Sequence, residues 1–194
     1  MQTHDERLTE ITQQLKALQQ ERRNLLRESA HMIVDNYIFT IQGNQPLSLL
    51  DLFGNHRDLI VVHNMGSSCV YCTLWADGFN GMLPALTNRT AFVLASPDTP
   101  DEQQRFAKSR GWHFTMVSTH NTSFTHDMGF TTEHNGTLYT MPGFSSFYRH
   151  DDGSIERVSK DYFGPGDEYC ALWAMFSALK EGPNYWTPDY SYPS

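Results

Sequence analysis

The fold is decided by one stretch of sequence, Leu59-Ile60-Val61-Val62-His63-Asn64-Met65-Gly66-Ser67-Ser68-Cys69-Val70-Tyr71-Cys72. Its four leading aliphatic residues are typical of a strand buried on both faces of a sheet. Small and polar residues then indicate a loop. From Cys69 onward the apolar residues recur at spacings of three and four, which indicates a helix. The stretch therefore predicts a buried strand, a loop and a helix that begins at a cysteine.

The sequence after this stretch completes one crossover unit and predicts a second. Residues 91–95 read as a second buried strand, and Thr99-Pro100-Asp101-Glu102 opens a helix with a cap, a first-turn proline and acidic residues. Gly111 ends that helix, and residues 112–119 read as a third strand. Because helices alternate with strands, this part of the sheet is expected to be parallel.

The second half of the chain predicts an antiparallel closure of the sheet. Residues 121–135 are polar and read as a loop with one helical turn. Residues 143–149 and 155–159 flank His150-Asp151-Asp152-Gly153, which is a hairpin signal. An amphipathic helix is predicted over residues 167–180. The predicted fold class is α/β, with a central mixed sheet flanked by helices.

The N-terminal segment reads as a separate helical arm. Thr3-His4-Asp5-Glu6 fits a capping box, and the segment carries a short heptad stripe with Arg22 at its remaining seam position. The stripe either packs on the same chain or forms a homodimer contact. We divide the chain into an arm (1–31), a globular domain (32–182) and an aromatic, proline-rich tail (183–194). The leucines and isoleucine of the stripe are Leu8, Ile11, Leu15, Leu18 and Leu25.

Composition and charge exclude several classes of function. The 194 residues are 39% hydrophobic, enough for a buried core, and the net charge is −8. An acidic chain is unsuited to binding nucleic acid or an anionic membrane. The N-terminus lacks an apolar signal segment, and three cysteines are too few for a secreted disulfide scaffold. We therefore predict a cytoplasmic protein without nucleic-acid or membrane partners.

Cys69 and Cys72 are the candidate catalytic residues. A cysteine at a helix N-terminus faces unpaired backbone N–H groups and the positive end of the helix dipole, which favour its thiolate. Cys72 lies one turn deeper on nearly the same face. The spacing predicts that Cys69 attacks a disulfide and that Cys72 resolves the mixed disulfide. This chemistry requires no cofactor.

The chain resembles the thioredoxin fold, and more narrowly a thioredoxin-like family called domain of unknown function 899, whose members are described as predicted dithiol–disulfide oxidoreductases. The most specific match is the string Cys69-Val70-Tyr71-Cys72-Thr73-Leu74-Trp75-Ala76-Asp77, and the likeness covers most of residues 15–165. Further matches are Glu21-Arg22-Arg23, Tyr37-Ile38-Phe39, Ser48-Leu49-Leu50-Asp51-Leu52-Phe53, Leu59-Ile60-Val61-Val62-His63, Arg110-Gly111-Trp112 and Pro142-Gly143-Phe144-Ser145-Ser146-Phe147-Tyr148.

The resemblance implies that Cys69 and Cys72 are the redox pair and that Pro142 is the active-site proline. In a thioredoxin-like fold this proline is cis and lies beside the helix-start cysteine, so we expect a cis Met141–Pro142 bond. Two departures from thioredoxins concern access to the thiolate. Val-Tyr separates the cysteines, and Ser68 stands where thioredoxins place a tryptophan. The substrate, a protein or small-molecule disulfide or thiol, and the electron donor are not identified by the resemblance.

Four further residues near these motifs are auxiliary candidates. His63 ends the strand and either assists the thiolate or is a hydrogen-bonded strand-end histidine. Trp75 belongs to the core or to a wall of the site. Asp77 is out of helical phase with Cys72, which favours a structural carboxylate over a proton acceptor. Met141 is a candidate because it directly precedes Pro142. Cys170 lies outside these motifs, and we predict that it is buried in the core rather than catalytic.

The sequence is also compatible with two other functions. A thiol peroxidase would use Cys69 through a sulfenic acid, although the peroxiredoxin-type Pro-x-x-x-Thr-x-x-Cys pattern is missing. A non-enzymatic module binding a metal or a protein is the second alternative. Two thiolates and two imidazoles would complete a zinc site, but no second Cys-x-x-Cys or tight histidine pair exists, so no metal site is predicted. The loosely clustered histidines are His113, His120, His126 and His134.

Overall fold

The computed structural model describes residues 2–193 of the chain, so Met1 and Ser194, the outer ends of the predicted arm and tail, lie outside the described residues. Helix α1 spans His4–Ala30. The Thr3 hydroxyl accepts a hydrogen bond from the Glu6 backbone N–H, and the Glu6 carboxylate accepts one from the Thr3 backbone N–H. These reciprocal bonds satisfy two backbone donors at the helix start, and the predicted capping box is confirmed.

The centre of the molecule is an eight-stranded mixed sheet in the order β1-β10-β9-β4-β5-β6-β2-β3. Neighbours β4, β5 and β6 are parallel, and the other pairs are antiparallel. The predicted α/β class with a mixed sheet is confirmed. The strands are β1 (Met32–Val34), β2 (Ile38–Ile41), β3 (Gln45–Ser48), β4 (Asp58–His63), β5 (Ala91–Ser96), β6 (Thr115–Ser118), β9 (Gly143–Arg149) and β10 (Ile155–Tyr162).

Two long helices supply the crossovers between the parallel strands. Helix α2 (Val70–Arg89) joins β4 to β5, and helix α3 (Pro100–Arg110) joins β5 to β6. Helix α3 has the predicted Thr99 cap and ends at Gly111, which adopts φ of 66° in the left-handed region. A short helix α4 (Phe124–Asp127) and a separate hairpin, β7 (Thr131–His134) and β8 (Thr137–Thr140), follow β6.

Side chains alternate between two hydrophobic cores along β4. Leu59 and Val61 belong to the core that also contains Phe53 and Phe147. Val62 belongs to the core on the opposite face, where α2 packs. Because successive strand residues point to opposite faces, the residues at the end of β4 also divide between the two sides of the sheet. This division decides which side chains reach the start of α2.

The arm is docked on the domain through β10. Arg22 of α1 donates two hydrogen bonds, of 2.7 and 2.8 Å, to the carboxylate of Asp161, which is buried. Much of the predicted leucine stripe stays exposed, so the domain does not use it fully. Association of two copies through this stripe stays a prediction. The stripe's exposed leucines are Leu8, Leu15, Leu18 and Leu25, each 53–61% exposed.

The last helix is shorter than the sequence pattern predicts. Helix α5 spans Ala171–Ser177, whereas a helix was expected over residues 167–180. The Asp167 carboxylate accepts hydrogen bonds from the backbone N–H groups of Gly164, Tyr169 and Cys170. These bonds hold residues 164–170 as a loop and delay the helix. Across residues 2–193, no helix combines the length and apolarity that a bilayer crossing requires.

Candidate functional site

Cys69 lies at the N-cap of α2, directly after the loop that leaves β4. Its Sγ accepts a hydrogen bond from the backbone N–H of Cys72 at 3.1 Å. The Met65 sulfur lies 3.9 Å from the same atom. Cys69 is half-buried and Cys72 is buried, and both are free thiols. The structure thus places a half-buried cysteine at a helix start, with a second, buried cysteine one turn deeper.

The two thiols are shifted in opposite directions. The pKa of Cys69 is lowered from 9.0 to about 7, mainly by a hydrogen bond from the Cys72 side chain, with help from the backbone N–H groups of Cys72 and Tyr71. The pKa of Cys72 is raised, because its proton is held against the Cys69 sulfur and because the thiol is buried. Near neutral pH, Cys69 therefore carries substantial thiolate while Cys72 stays protonated. This is the division of roles that an attacking and a resolving cysteine require.

Cys69 is expected to be alkylated by iodoacetamide with a pH midpoint of about 7. The thiolate is the reactive form, so the rate should fall about tenfold per pH unit below the midpoint and level off above it. Peptide mapping by mass spectrometry after timed alkylation measures this. Cys170 serves as the internal control, because burial raises the pKa of its thiol and it should react only after unfolding. A Cys69 midpoint near 9 would contradict the prediction.

The loop before Cys69 is held by two residues that the sequence analysis did not select. The Asp98 carboxylate accepts hydrogen bonds from the Ser67 backbone N–H at 2.8 Å and the Ser67 hydroxyl at 3.3 Å. The Asn64 side chain accepts a bond from the Gly66 N–H at 2.7 Å and donates one to the Cys72 carbonyl at 3.5 Å. Gly66 adopts φ of 106°, which favours glycine. These contacts fix the path of the chain into the helix.

His63 lies on the face of the sheet opposite α2. Its Nε2 lies 3.0 Å from the Ser145 hydroxyl. Its ring stacks on those of Phe130 and Phe124, with centroids 3.8 and 5.4 Å apart. Burial, and the positive charge of Arg157, lower its pKa to about 3. A neutral, buried imidazole on the far face is not positioned to assist the thiolate. Of the two interpretations of His63, the hydrogen-bonded strand-end histidine matches the structure.

Trp75 belongs to the core behind the site. It is buried, and its ring stacks parallel to Phe163 with centroids 6.0 Å apart. Its Nε1 donates to the Asp167 carboxylate at 3.0 Å. Tyr71 lies between the two cysteines in the sequence, and the centroid of its ring is 6.3 Å from that of Trp75. Trp75 therefore supports the helix that carries the cysteines and anchors the loop around Asp167.

Asp77 has structural partners on neighbouring elements. Its carboxylate forms an ion pair with Arg110 at the end of α3 and accepts a hydrogen bond from the Trp112 indole N–H at 2.7 Å. Both partners follow the parallel strand β5 in the chain. These contacts tie α2 to α3, which agrees with the structural interpretation of Asp77 made from the sequence.

The expectation of a cis Met141–Pro142 bond is wrong, because no peptide bond within residues 2–193 is cis. In the trans form, the Met141 N–H donates to the Phe130 carbonyl at 2.7 Å, and the Pro142 carbonyl accepts from the Phe163 N–H at 2.9 Å. These hydrogen bonds fit Pro142 at the entry to β9, and trans is the lower-energy form of an X-Pro bond. Gly143, the next residue, pairs with His63 at the end of β4. Pro142 thus lies near the carboxyl end of β4, and its catalytic role stays a prediction.

The histidines and Cys170 do not add to the site. Within residues 2–193, no three or more side chains of His, Cys, Asp or Glu are gathered closely enough to hold a metal ion. Cys170 is buried at the N-cap of α5, in the core that contains Trp75. The structure therefore gives no support to a zinc site built from Cys69, Cys72 and the histidines.

Comparisons with known proteins agree with this architecture. A family model described as a bacterial protein of unknown function, DUF899, matches residues 2–185. No curated protein matches the chain. Similar solved structures include peroxidoxin BcpB from Mycobacterium tuberculosis, with a TM-score of 0.56, 17% identity, and coverage of 69% of this chain and 84% of that one. Peroxiredoxin Q from Xanthomonas campestris gives a TM-score of 0.56, 18% identity, and coverage of 65% and 79%.

A third similar structure is reduced Prx3 from Vibrio vulnificus in complex with hydrogen peroxide. Its TM-score is 0.54 at 14% identity, and the match covers 70% of this chain and 88% of that one. These likenesses confirm the thioredoxin-like fold that the resemblance implied.

Proposed function

The chain belongs to the bacterial DUF899 family, and we propose that it is a dithiol–disulfide oxidoreductase. The observation that supports this most directly is the 3.1 Å hydrogen bond from the Cys72 N–H to the Cys69 sulfur at the start of α2. This bond stabilises a thiolate on an accessible sulfur, while the protonated Cys72 thiol waits one turn deeper. Nucleophile and resolving group are thereby built into one helical turn.

The proposed reaction proceeds in two exchanges. The Cys69 thiolate attacks one sulfur of a disulfide, forms a mixed disulfide with it and releases the other sulfur as a thiolate. The Cys72 thiol then loses its proton and attacks the Cys69 sulfur, which releases the second substrate thiolate. Two electrons pass to the substrate, and the enzyme is left with a Cys69–Cys72 disulfide. A dithiol reductant returns the pair to its starting state.

The partners of this reaction are therefore a protein or small-molecule disulfide and a thiol electron donor. The proposed cytoplasmic location is consistent with both, because thiols are kept reduced there. The net charge of −8 remains unfavourable for binding nucleic acid or an anionic membrane. The exchange needs neither a metal nor an organic cofactor.

A thiol peroxidase is the second candidate, and the peroxiredoxin-like fold favours it. The Cys69 thiolate would attack a peroxide O–O bond, form a sulfenic acid and release water or an alcohol, and Cys72 would then condense with it and release water. The peroxiredoxin-type threonine three residues before the reactive cysteine is absent, since Gly66 stands there. This difference leaves the peroxide without that hydroxyl contact, so we rank the peroxidase second.

The deciding experiment measures catalysed reduction of bis(2-hydroxyethyl) disulfide and of insulin by dithiothreitol, beside consumption of hydrogen peroxide under the same conditions. The oxidoreductase predicts turnover of at least one disulfide at a higher kcat/KM than that of peroxide. Peroxide consumption with no disulfide turnover would favour the peroxidase. No catalysis of any of these reactions would favour the non-enzymatic module.

A further inference from the structure

The C-terminal strap, residues 183–193, folds back across the molecule to the start of α2. It has no regular secondary structure, yet Pro188 within it is buried. Most of its neighbours are exposed, and Tyr185 is 99% exposed. Because the strap buries Pro188 but leaves Tyr185 exposed, it is attached to the rest of the molecule at defined points.

The first attachment point is the loop that precedes Cys69. The Tyr190 hydroxyl donates a hydrogen bond of 3.0 Å to the carbonyl of Ser67, two residues before the reactive cysteine. The Tyr190 carbonyl accepts a bond from Arg110, and its ring packs edge-on against Phe106 with centroids 6.1 Å apart. Burial raises the pKa of Tyr190, and a thiolate at Cys69 raises it further.

The second attachment point is helix α5, which in turn contacts Tyr71, two residues after Cys69. The Tyr71 ring stacks on Trp173 of α5 with centroids 6.4 Å apart. Trp186 of the strap packs against Trp173 at 5.5 Å and against Phe176 at 5.0 Å. The strap thus reaches the residue between the cysteines through one intervening ring. Ser67, before Cys69, contacts the eleven-residue strap directly, and Tyr71, after Cys69, is linked to the same strap through Trp173.

We propose that the C-terminal strap makes the Cys69 site selective for low-molecular-weight disulfides over disulfides in folded proteins. The inference rests on the proposed oxidoreductase function. A protein substrate must lay its backbone on the surface around the attacked sulfur, and specific protein contacts bury several hundred Å² on each partner. The strap contacts Ser67, two residues before Cys69, and packs against Trp173, whose ring stacks on Tyr71, two residues after Cys69. A small disulfide needs contact only with the half-buried Cys69 itself.

The test compares the full-length variant Trp186→Ala/Tyr190→Ala with the wild type. Substrates are bis(2-hydroxyethyl) disulfide and insulin, both with dithiothreitol as the reductant. We expect the wild type to favour the small disulfide, and the double variant to raise kcat/KM for insulin at least about tenfold while changing that for the small disulfide less than about twofold. The matched control is Tyr185→Ala, which removes an exposed strap ring and should change neither value.

The milder variant Tyr190→Phe keeps the ring and removes only the bond to Ser67, so a smaller gain with insulin is expected. Circular dichroism of each variant checks that the fold is retained. Turnover of the small disulfide with an unchanged insulin value in both variants would overturn the strap's role and leave the oxidoreductase standing. Absence of turnover with either substrate in the wild type would overturn the oxidoreductase itself, and the selectivity with it.

Discussion

Replacing Cys69 by serine is expected to abolish disulfide reduction, lowering kcat/KM by at least about a thousandfold. A serine hydroxyl is not ionised near neutral pH, so the hydrogen bond from the Cys72 N–H, which stabilises a sulfur anion in the native protein, has no anion to stabilise. The remaining Cys72 does not substitute for it, because Cys72 is buried and burial disfavours its thiolate. Steady-state reduction of bis(2-hydroxyethyl) disulfide by dithiothreitol measures the loss.

Replacing Cys72 by serine should have a different outcome from the loss of Cys69. The first exchange can still occur, because its nucleophile is intact, but the resolving sulfur is gone. Intact-protein mass spectrometry without reductant should therefore show one substrate thiol attached at Cys69. Cys170→Ser is the matched control and should keep full activity, since Cys170 is buried at the N-cap of a different helix, α5. Substantial activity in Cys69→Ser would contradict the assignment of the nucleophile.

The start of the site could be predicted from sequence because its determinants are local. The strand β4, the loop and the N-cap at Cys69 depend on a run of aliphatic residues, a glycine and a change of periodicity within about fifteen positions. Asn64 could also have been found by this approach. Strand alternation puts it on the same face as Val62, where α2 packs, and His63 on the other. The same alternation argues against His63 as a partner of the thiolate.

Other parts of the site depend on contacts that the linear sequence does not reveal. Asp98 follows β5, and it meets the loop before Cys69 only because parallel strands bring their carboxyl ends to one edge of the sheet. That rule was available once the strands were identified. No sequence pattern indicates that Tyr190 contacts the site, because it lies in an irregular tail 121 residues after Cys69.

Two local errors have specific causes. Strand β7 lies within residues 121–135, for which a loop is predicted, and β8 is not predicted, although Asn135-Gly136 is a strong hairpin signal and both residues have positive φ, 50° and 75°. The polar, mostly exposed residues of these strands lack the apolar alternation that marks a buried strand. Helix α5 was overextended because its amphipathic pattern continues through residues that the Asp167 carboxylate holds in a loop. Hydrogen bonding by one side chain overrode the periodicity there.

Gly143→Ala is expected to destabilise the protein by about 2–4 kcal/mol, as overpacking at a site without room to relax. A Cβ at this position would lie 2.2 Å from the Asp161 carbonyl oxygen and 2.5 Å from a ring carbon of Phe130. Gly143 pairs with His63 on one side and Tyr162 on the other, so the backbone cannot shift away without opening a ladder. Of the two residues Pro142 and Gly143, it is therefore Gly143 whose replacement the packing does not tolerate.

Gly78→Ala is the matched control for this substitution. It lies within α2, is exposed, and a Cβ there would meet nothing within 4 Å. Alanine should therefore stabilise the helix by up to about 1 kcal/mol. Urea unfolding followed by circular dichroism gives both free energies of unfolding from the midpoint and slope. Equal urea midpoints for Gly143→Ala and Gly78→Ala would contradict the prediction and would show that β9 can move away from β10 at Gly143. Because Gly143 also pairs with His63, the carboxyl end of β4 would then be less rigidly held than the close packing at Gly143 implies.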